Sequence, residues 1–201
     1  MKLANPVSFP PDGDWDSRLT SIACPGLTPV ATLHENEWFT VRNRGGYYTT
    51  EYRLAQVIVL PVVEDAGIVM IRVKRPVIGD TTLELPAGAI EHGESPVEGA
   101  AREFAEETGI AIPESRFRAM APMSTSPNRM PKLVYVFRVD LSLQEFDRRN
   151  PHDNEVESVH CVPLGQVIDL ITSGSVYVAL PVAVIASYLF SRFPECRPKT
   201  K

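Results

Sequence analysis

Residues 88–110 read GAIEHGESPVEGAAREFAEETGI, and Glu98, Glu103, Glu106 and Glu107 fall within ten of them. Like charges one helical turn apart destabilise a helix by about 0.2–0.5 kcal/mol per pair. Either that face is merely solvated, or something positive sits between the carboxylates. The local pattern is helical. Ser95 can cap the first turn, Pro96 suits the first helical position, Glu98 completes a capping box and Gly109 is a C-terminal stop. At 100° per residue, Val97, Ala100, Ala101, Phe104 and Thr108 share the side to be buried. Glu103, Glu106 and Glu107, spaced i, i+3 and i+4, gather on another side, with Arg102 on the flank within reach of the preceding loop. Such carboxylates are hard oxygen ligands, suited to Mg²⁺ or Mn²⁺ and not to a metal that prefers thiolate.

Outward from this helix the chain alternates between strand and helix signals. On the N-terminal side, residues 55–63 (AQVIVLPVV) and 67–75 (GIVMIRVKR) are β-branched runs of strand length around a short turn. Residues 37–53 (EWFTVRNRGGYYTTEYR) predict two short strands about a Gly45-Gly46 hairpin turn. Residues 81–90 (TTLELPAGAI) alternate, then bend at Pro86 and Gly88. Three further strands are predicted within 116–126, 132–141 and 156–164, and two closing helices over 163–174 and 180–193. A mixed α/β layered domain follows. It divides into an arm and small antiparallel strand layer over 1–54, a main domain over 55–193 and a flexible tail over 194–201.

Composition bounds the partners. A chain of 201 residues with 44% hydrophobic and 22% charged residues suits one globular domain with an appendage. Net charge is −5 and no Lys/Arg run appears, which disfavours nucleic acid. Cys24, Cys161 and Cys196 are odd in number and lack zinc-ligand spacing, as expected in a reducing cytoplasm. The first fifteen residues lack the apolar core of a signal peptide. The apolar run 176–190 is too short to span a bilayer and contains Pro181, so it predicts a buried helix and no membrane partner.

The helix and its loop satisfy G-x5-E-x7-R-E-U-x-E-E-x-G-U, with U bulky and apolar, at Gly88, Glu94, Arg102, Glu103, Phe104, Glu106, Glu107, Gly109 and Ile110. A random chain of this length matches about once in ten million. This pattern is the Nudix box, and the chain resembles the Nudix hydrolases. The resemblance implies an α/β/α sandwich about a mixed sheet, with the box as loop-helix-loop. It further implies hydrolysis of a nucleoside diphosphate linked to another group, with divalent metal. Glu103, Glu106 and Glu107 then match the metal ligands, the Ala87 carbonyl is a further one, and Glu94 with Arg102 form a loop-to-helix ion pair.

Residues 73–95 (VKRPVIGDTTLELPAGAIEHGES) are similar to the branch acting on ADP-ribose and ADP-sugars. In that branch Arg75 clamps the diphosphate, with Arg72 and Lys74 as alternatives. Pro127, seventeen residues after Ile110, matches a substrate-loop proline, although Asn128 replaces the usual Gly. The resemblance implies a homodimer whose N-terminal strand layer helps build the nucleoside site. Trp38 there either stacks on a purine, opposite Tyr47 or Tyr48, or packs in the interface. Glu51 and Arg53 are candidates for hydrogen bonds to base or sugar. Glu155 matches the mobile-loop base, with Glu157 as the alternative, whereas His92 and His160 are read as non-catalytic. The expected products from ADP-ribose are AMP and ribose 5-phosphate. GDP-mannose, NADH or dinucleoside polyphosphates remain alternative substrates, and a non-cleaving ADP-ribose sensor remains an alternative function.

Overall fold

The computed structural model describes residues 16–22, 24–150 and 155–192. The expected tail 194–201 and the first fifteen residues of the expected arm lie outside the described residues. A short helix α1 (Ser17–Thr20) leads into an antiparallel layer of β1 (Val30–Glu35), β2 (Phe39–Arg44) and β3 (Tyr47–Tyr52). Gly45 and Gly46 join β2 to β3 with φ of 57° and 94°, as a two-residue hairpin turn that matches strand twist requires. The Asn43 side-chain oxygen accepts the Gly46 N–H at 2.8 Å and fixes this turn. The layer has three strands where two were expected. Every residue of β1 is exposed, so burial leaves no alternation in its sequence to read.

The main sheet contains β4 (Gln56–Val63), β5 (Gly67–Arg75), β6 (Asp80–Glu84), β7 (Ala87–Ala89), β8 (Arg118–Met123), β9 (Val134–Leu141) and β10 (Val156–Val162). Its order is β10-β5-β4-β9-β8, with β6 also on β5 and β7 also on β4. The β4–β9 pair is parallel, from Val57 beside Tyr135 to Val63 beside Leu141, and the remaining pairs are antiparallel. Strands buried on both faces read as continuous apolar runs, and β4 shows why. Val57 and Val59 join one core, while Ile58, Leu60 and Val62 join the other. Pro61 interrupts that strand without breaking it. Val59 gives its N–H to the Pro86 carbonyl at 2.8 Å, so Pro61, two residues on, faces the same side. There β4 passes from β7, which pairs residues 56–58, to β5, which pairs 62–63. The missing donor falls in that gap.

Helix α2 (Pro96–Thr108) covers the first core with Ala100 and Phe104. Burying Phe104 contributes about 1.5–3 kcal/mol. The short helix α3 (Leu143–Asp147) closes the same side through Phe146. Helices α4 (Leu164–Thr172) and α5 (Ala179–Arg192) cover the opposite face with Val167, Val184, Ile185 and Tyr188. The result is the expected α/β/α sandwich about a mixed sheet, with the small antiparallel layer beside it. Pro181 lies in the first turn of α5, where no helical hydrogen bond needs its nitrogen. Among the described residues no helix is long and apolar enough to cross a membrane.

Candidate active site

The start of α2 follows from its sequence. Ser95 Oγ accepts the Glu98 N–H at 3.3 Å, the Glu98 carboxylate accepts the Ser95 N–H at 2.6 Å, and Gly109 ends the helix at φ 70°. Strand β7 lies against this helix, and its alternation sets the site. The Pro86 carbonyl and the Ile90 N–H both face β4 and its approach, bonding Val59 and Ala55. The backbone groups of Ala87 and Ala89 therefore turn to the free edge. At that edge Glu107 Oε2 accepts the Ala87 N–H at 2.8 Å, and the Ala89 carbonyl accepts from Arg102 at 2.7 Å. The Ala87 carbonyl, on the same side as its N–H, is turned toward the carboxylates of α2.

Gly88 makes the close approach possible. A Cβ on this residue would sit 2.1 Å from the Glu103 carboxylate. Arg102 then ties the pieces together with five hydrogen bonds. It donates to Glu94 at 2.8 and 3.1 Å, to Glu103 at 3.0 Å, to Glu106 at 3.0 Å and to the Ala89 carbonyl. Burial pushes the Glu103 carboxyl up, against the pull of Arg102. The Glu94 carboxyl is held down chiefly by its hydrogen bonds from Arg102. Among the described residues no three acidic, His or Cys side chains close on one point. Glu106 is turned outward to Arg102, with its side chain about half exposed. The all-oxygen set of Glu103, Glu107 and the Ala87 carbonyl, gathered at one strand edge, fits a hard divalent cation, with Glu106 on the rim.

Arg75 ends β5. Its guanidinium makes a two-pronged pair with buried Glu84, at 2.7 and 3.0 Å, and Thr82 Oγ1 holds the same carboxylate at 2.5 Å. The charges of Glu107 and Glu155 lie close enough to join Glu84 in raising the Arg75 pKa. Two of its five N–H groups serve Glu84, and a guanidinium fork of this kind matches a phosphate as well as a carboxylate. Glu155 precedes β10 and its carbonyl accepts the Lys74 N–H at 3.3 Å, whereas Glu157 lies 3.7 Å from Lys74 Nζ.

The model of the NUDIX domain matches residues 52–178, well over half of the chain. The chain belongs to the Nudix family. It is 35% identical to the ADP-ribose pyrophosphatase of Bacillus subtilis (strain 168) over 122 residues, 60% of this chain and 64% of that protein. It is 30% identical to the phosphatase NudJ of Escherichia coli (strain K12) over 96 residues, 48% of this chain and 61% of that protein. The matches thus span less than two thirds of either relative. A solved structure of an ADP compounds hydrolase superposes with a TM-score of 0.61 at 20% identity, covering 86% of this chain and 95% of that one, and shows the shared fold.

The remaining candidates of this Nudix protein distribute unevenly. Trp38 and Arg53 line an apolar cavity of ≈ 270 Å³ with Glu37, Tyr52, Leu54, Gln56, Ala89 and His92, next to the box. Arg53 is engaged there by the Glu35 carboxylate at 2.6 Å and the Asn36 carbonyl at 2.8 Å. Glu51 is buried elsewhere in β3. Burial pushes its carboxyl up, but Arg44, Thr49 and Arg42 outweigh this and hold it low. Tyr47 and Tyr48 are exposed on β3, outside that cavity. The loop of Pro127 packs on β3, where the Arg129 carbonyl accepts the Thr50 N–H at 2.7 Å. His160 contacts Ser158 Oγ at 2.7 Å on the exposed side of β10. Glu84 was not read from sequence as part of the site. The signal was present, because Thr82 and Glu84 share a strand face and a buried carboxylate demands a cation.

Proposed function

We propose that this protein hydrolyses the diphosphate of ADP-ribose or a related ADP-sugar to AMP and a sugar phosphate, in the presence of Mg²⁺ or Mn²⁺. The observation that carries the reading is the meeting of two charge systems at the edge of β7. Glu103, Glu107 and the Ala87 carbonyl offer oxygens, and Arg75, steadied by Glu84, offers a cationic fork within reach of the Glu107 charge. Glu103, Glu107 and the Ala87 carbonyl would hold a divalent cation, which would neutralise phosphate charge and lower the pKa of a bound water. Arg75 binds a phosphate and offsets the charge that develops on it. Water adds to one phosphorus, the bridging P–O bond breaks, and the proton passes to a carboxylate. Glu155, whose charge reaches Arg75, takes that role in preference to Glu157, which is drawn to Lys74. The relative named for ADP-ribose supports the adenine nucleotide. The same reading places the enzyme in a reducing cytoplasm, supported by the odd number and wide spacing of Cys24, Cys161 and Cys196.

Incubation with Mg²⁺ and a panel of nucleoside diphosphate derivatives, with products identified by mass, tests the reading. AMP and ribose 5-phosphate from ADP-ribose are expected. Faster turnover of GDP-mannose, NADH or dinucleoside polyphosphates would overturn the substrate, and binding without cleavage would overturn the reaction. The same reading extends to a homodimer. Val30, Leu33, Trp38, Tyr47, Tyr48 and Tyr52 are exposed on and around the β1–β3 layer, an apolar surface of the kind that marks an interface. Sedimentation is expected to return the mass of two chains, and the mass of one overturns the dimer.

A further inference from the structure

We propose that Gln56 selects the nucleobase, its side-chain amide reading the edge of adenine in the Trp38 cavity. The inference rests on the functional reading above and adds to it a residue outside the Nudix box. The cavity has few polar groups free to read a base. Arg53 is held by Glu35 and the Asn36 carbonyl, while Glu37 and His92 are exposed residues. Gln56 is partly buried in the wall. Its Nε2 makes only a 3.4 Å contact with the Ala55 carbonyl, at the outer limit for a hydrogen bond, and its Oε1 has no donor among the described residues. A carboxamide presents one acceptor and two donors, and adenine presents a donor beside an acceptor along its edge. Guanine presents the reverse order, which the amide can meet only by turning over and setting its oxygen against the Ala55 carbonyl that Nε2 now faces.

Position supports the assignment. Gln56 and Ala89 are partners in the β4–β7 register, so they share a sheet face, and both line the cavity. Ala87, whose carbonyl is offered to the cation, is two residues along the same strand, about 7 Å away. That separation suits a nucleoside with its base at Gln56 and its phosphates at Glu107 and Arg75. The wall is also held from behind. Lys132 Nζ donates to the Tyr52 carbonyl at 3.2 Å and the Arg53 carbonyl at 3.3 Å, fixing the segment that carries Tyr52 and Arg53.

The test compares kcat/KM for ADP-ribose and GDP-ribose, with Mg²⁺, in the full chain and in Gln56→Leu and Gln56→Glu. Calorimetric titration with AMP and GMP gives the same comparison without turnover. The wild-type chain is expected to favour adenine, and Gln56→Leu to cut that preference by between about 5-fold and 150-fold, the range for one bidentate base contact. Gln56→Glu, isosteric but with acceptors only, is expected to shift preference toward guanine, whose N1–H and amino group are donors. A purely structural role would lower both substrates together and leave the ratio fixed. An unchanged ratio in both variants, or a wild-type chain indifferent to the base, overturns the assignment. Absence of product from every nucleotide overturns the hydrolase reading instead, and selective AMP binding that is lost in Gln56→Leu would then still support Gln56.

Discussion

On the proposed function, Glu107→Gln is expected to lower kcat for ADP-ribose by about 10³-fold, equivalent to about 4 kcal/mol of lost transition-state stabilisation, while the folded structure persists. The amide retains an oxygen that can accept the Ala87 N–H now bonded at 2.8 Å, so the contact between β7 and α2 survives. What disappears is the negative charge beside the Ala87 carbonyl, and with it the attraction for a divalent cation. Removing one of several crowded carboxylates also relieves repulsion on α2, so melting in EDTA is expected at or slightly above the wild-type temperature. The Mg²⁺ concentration for half-maximal rate should rise as well. Glu106→Gln is the informative comparison. Glu106 is exposed and turned to Arg102, so its loss should be milder unless a bound cation draws it inward. Steady-state kinetics with a Mg²⁺ titration measures both, and near-wild-type turnover in Glu107→Gln would overturn the placement of the cation.

The contrast between these glutamates marks how far sequence alone reached. Helix α2 was legible because its information is local: a capping box, a terminal glycine and a 3.6-residue apolar stripe each lie within one turn or face. The strands β4 and β5 were legible because burial on both faces forces unbroken β-branched runs. By contrast, β1 is exposed throughout and carries no periodic trace. The site followed the same division. Glu94 and Arg102 sit within one motif, and the resemblance to the Nudix box implied their pairing, whereas the contacts of Arg102 with Glu103 and Glu106 were not anticipated. Glu84 and Arg75 meet only because β5 and β6 pair in a particular register, with Arg75 opposite Asp80. Glu51 shows the converse. A carboxylate that looks available in sequence is buried against Arg44, Arg42 and Thr49, contacts that depend on how β2 pairs with β3. Gln56 carries no motif at all, and only the cavity that it borders gives it meaning.

Arg102→Ala is expected to destabilise the metal-free protein by about 2–3 kcal/mol. Breaking a buried ion pair costs about 3–5 kcal/mol, and the partial exposure of this arginine reduces that figure. At about 2–4 °C per kcal/mol for a domain of this size, melting falls by about 4–12 °C. The mechanism sets the pH dependence. Arg102 holds the Glu94 carboxyl low, so the wild-type contribution is present above the ordinary carboxylate value and is lost as pH falls through the lowered one. Burial raises the Glu103 carboxyl, and without Arg102 only the opposing pull is lost, so its value climbs further. A group with a raised folded pKa gains stability from protonation as pH falls through that value. The Glu103 effect narrows the gap between wild type and variant as pH falls from 7 toward the ordinary carboxylate value, and the Glu94 effect narrows it further below that value. Arg102→Lys separates charge from geometry. It restores a cation, but a point charge cannot bridge Glu94, Glu103, Glu106 and the Ala89 carbonyl together, so it should recover only part of the loss. Thermal melts in EDTA across that range test the account. A gap of constant size would mean that Arg102 stabilises by packing its stem rather than by compensating the carboxylates.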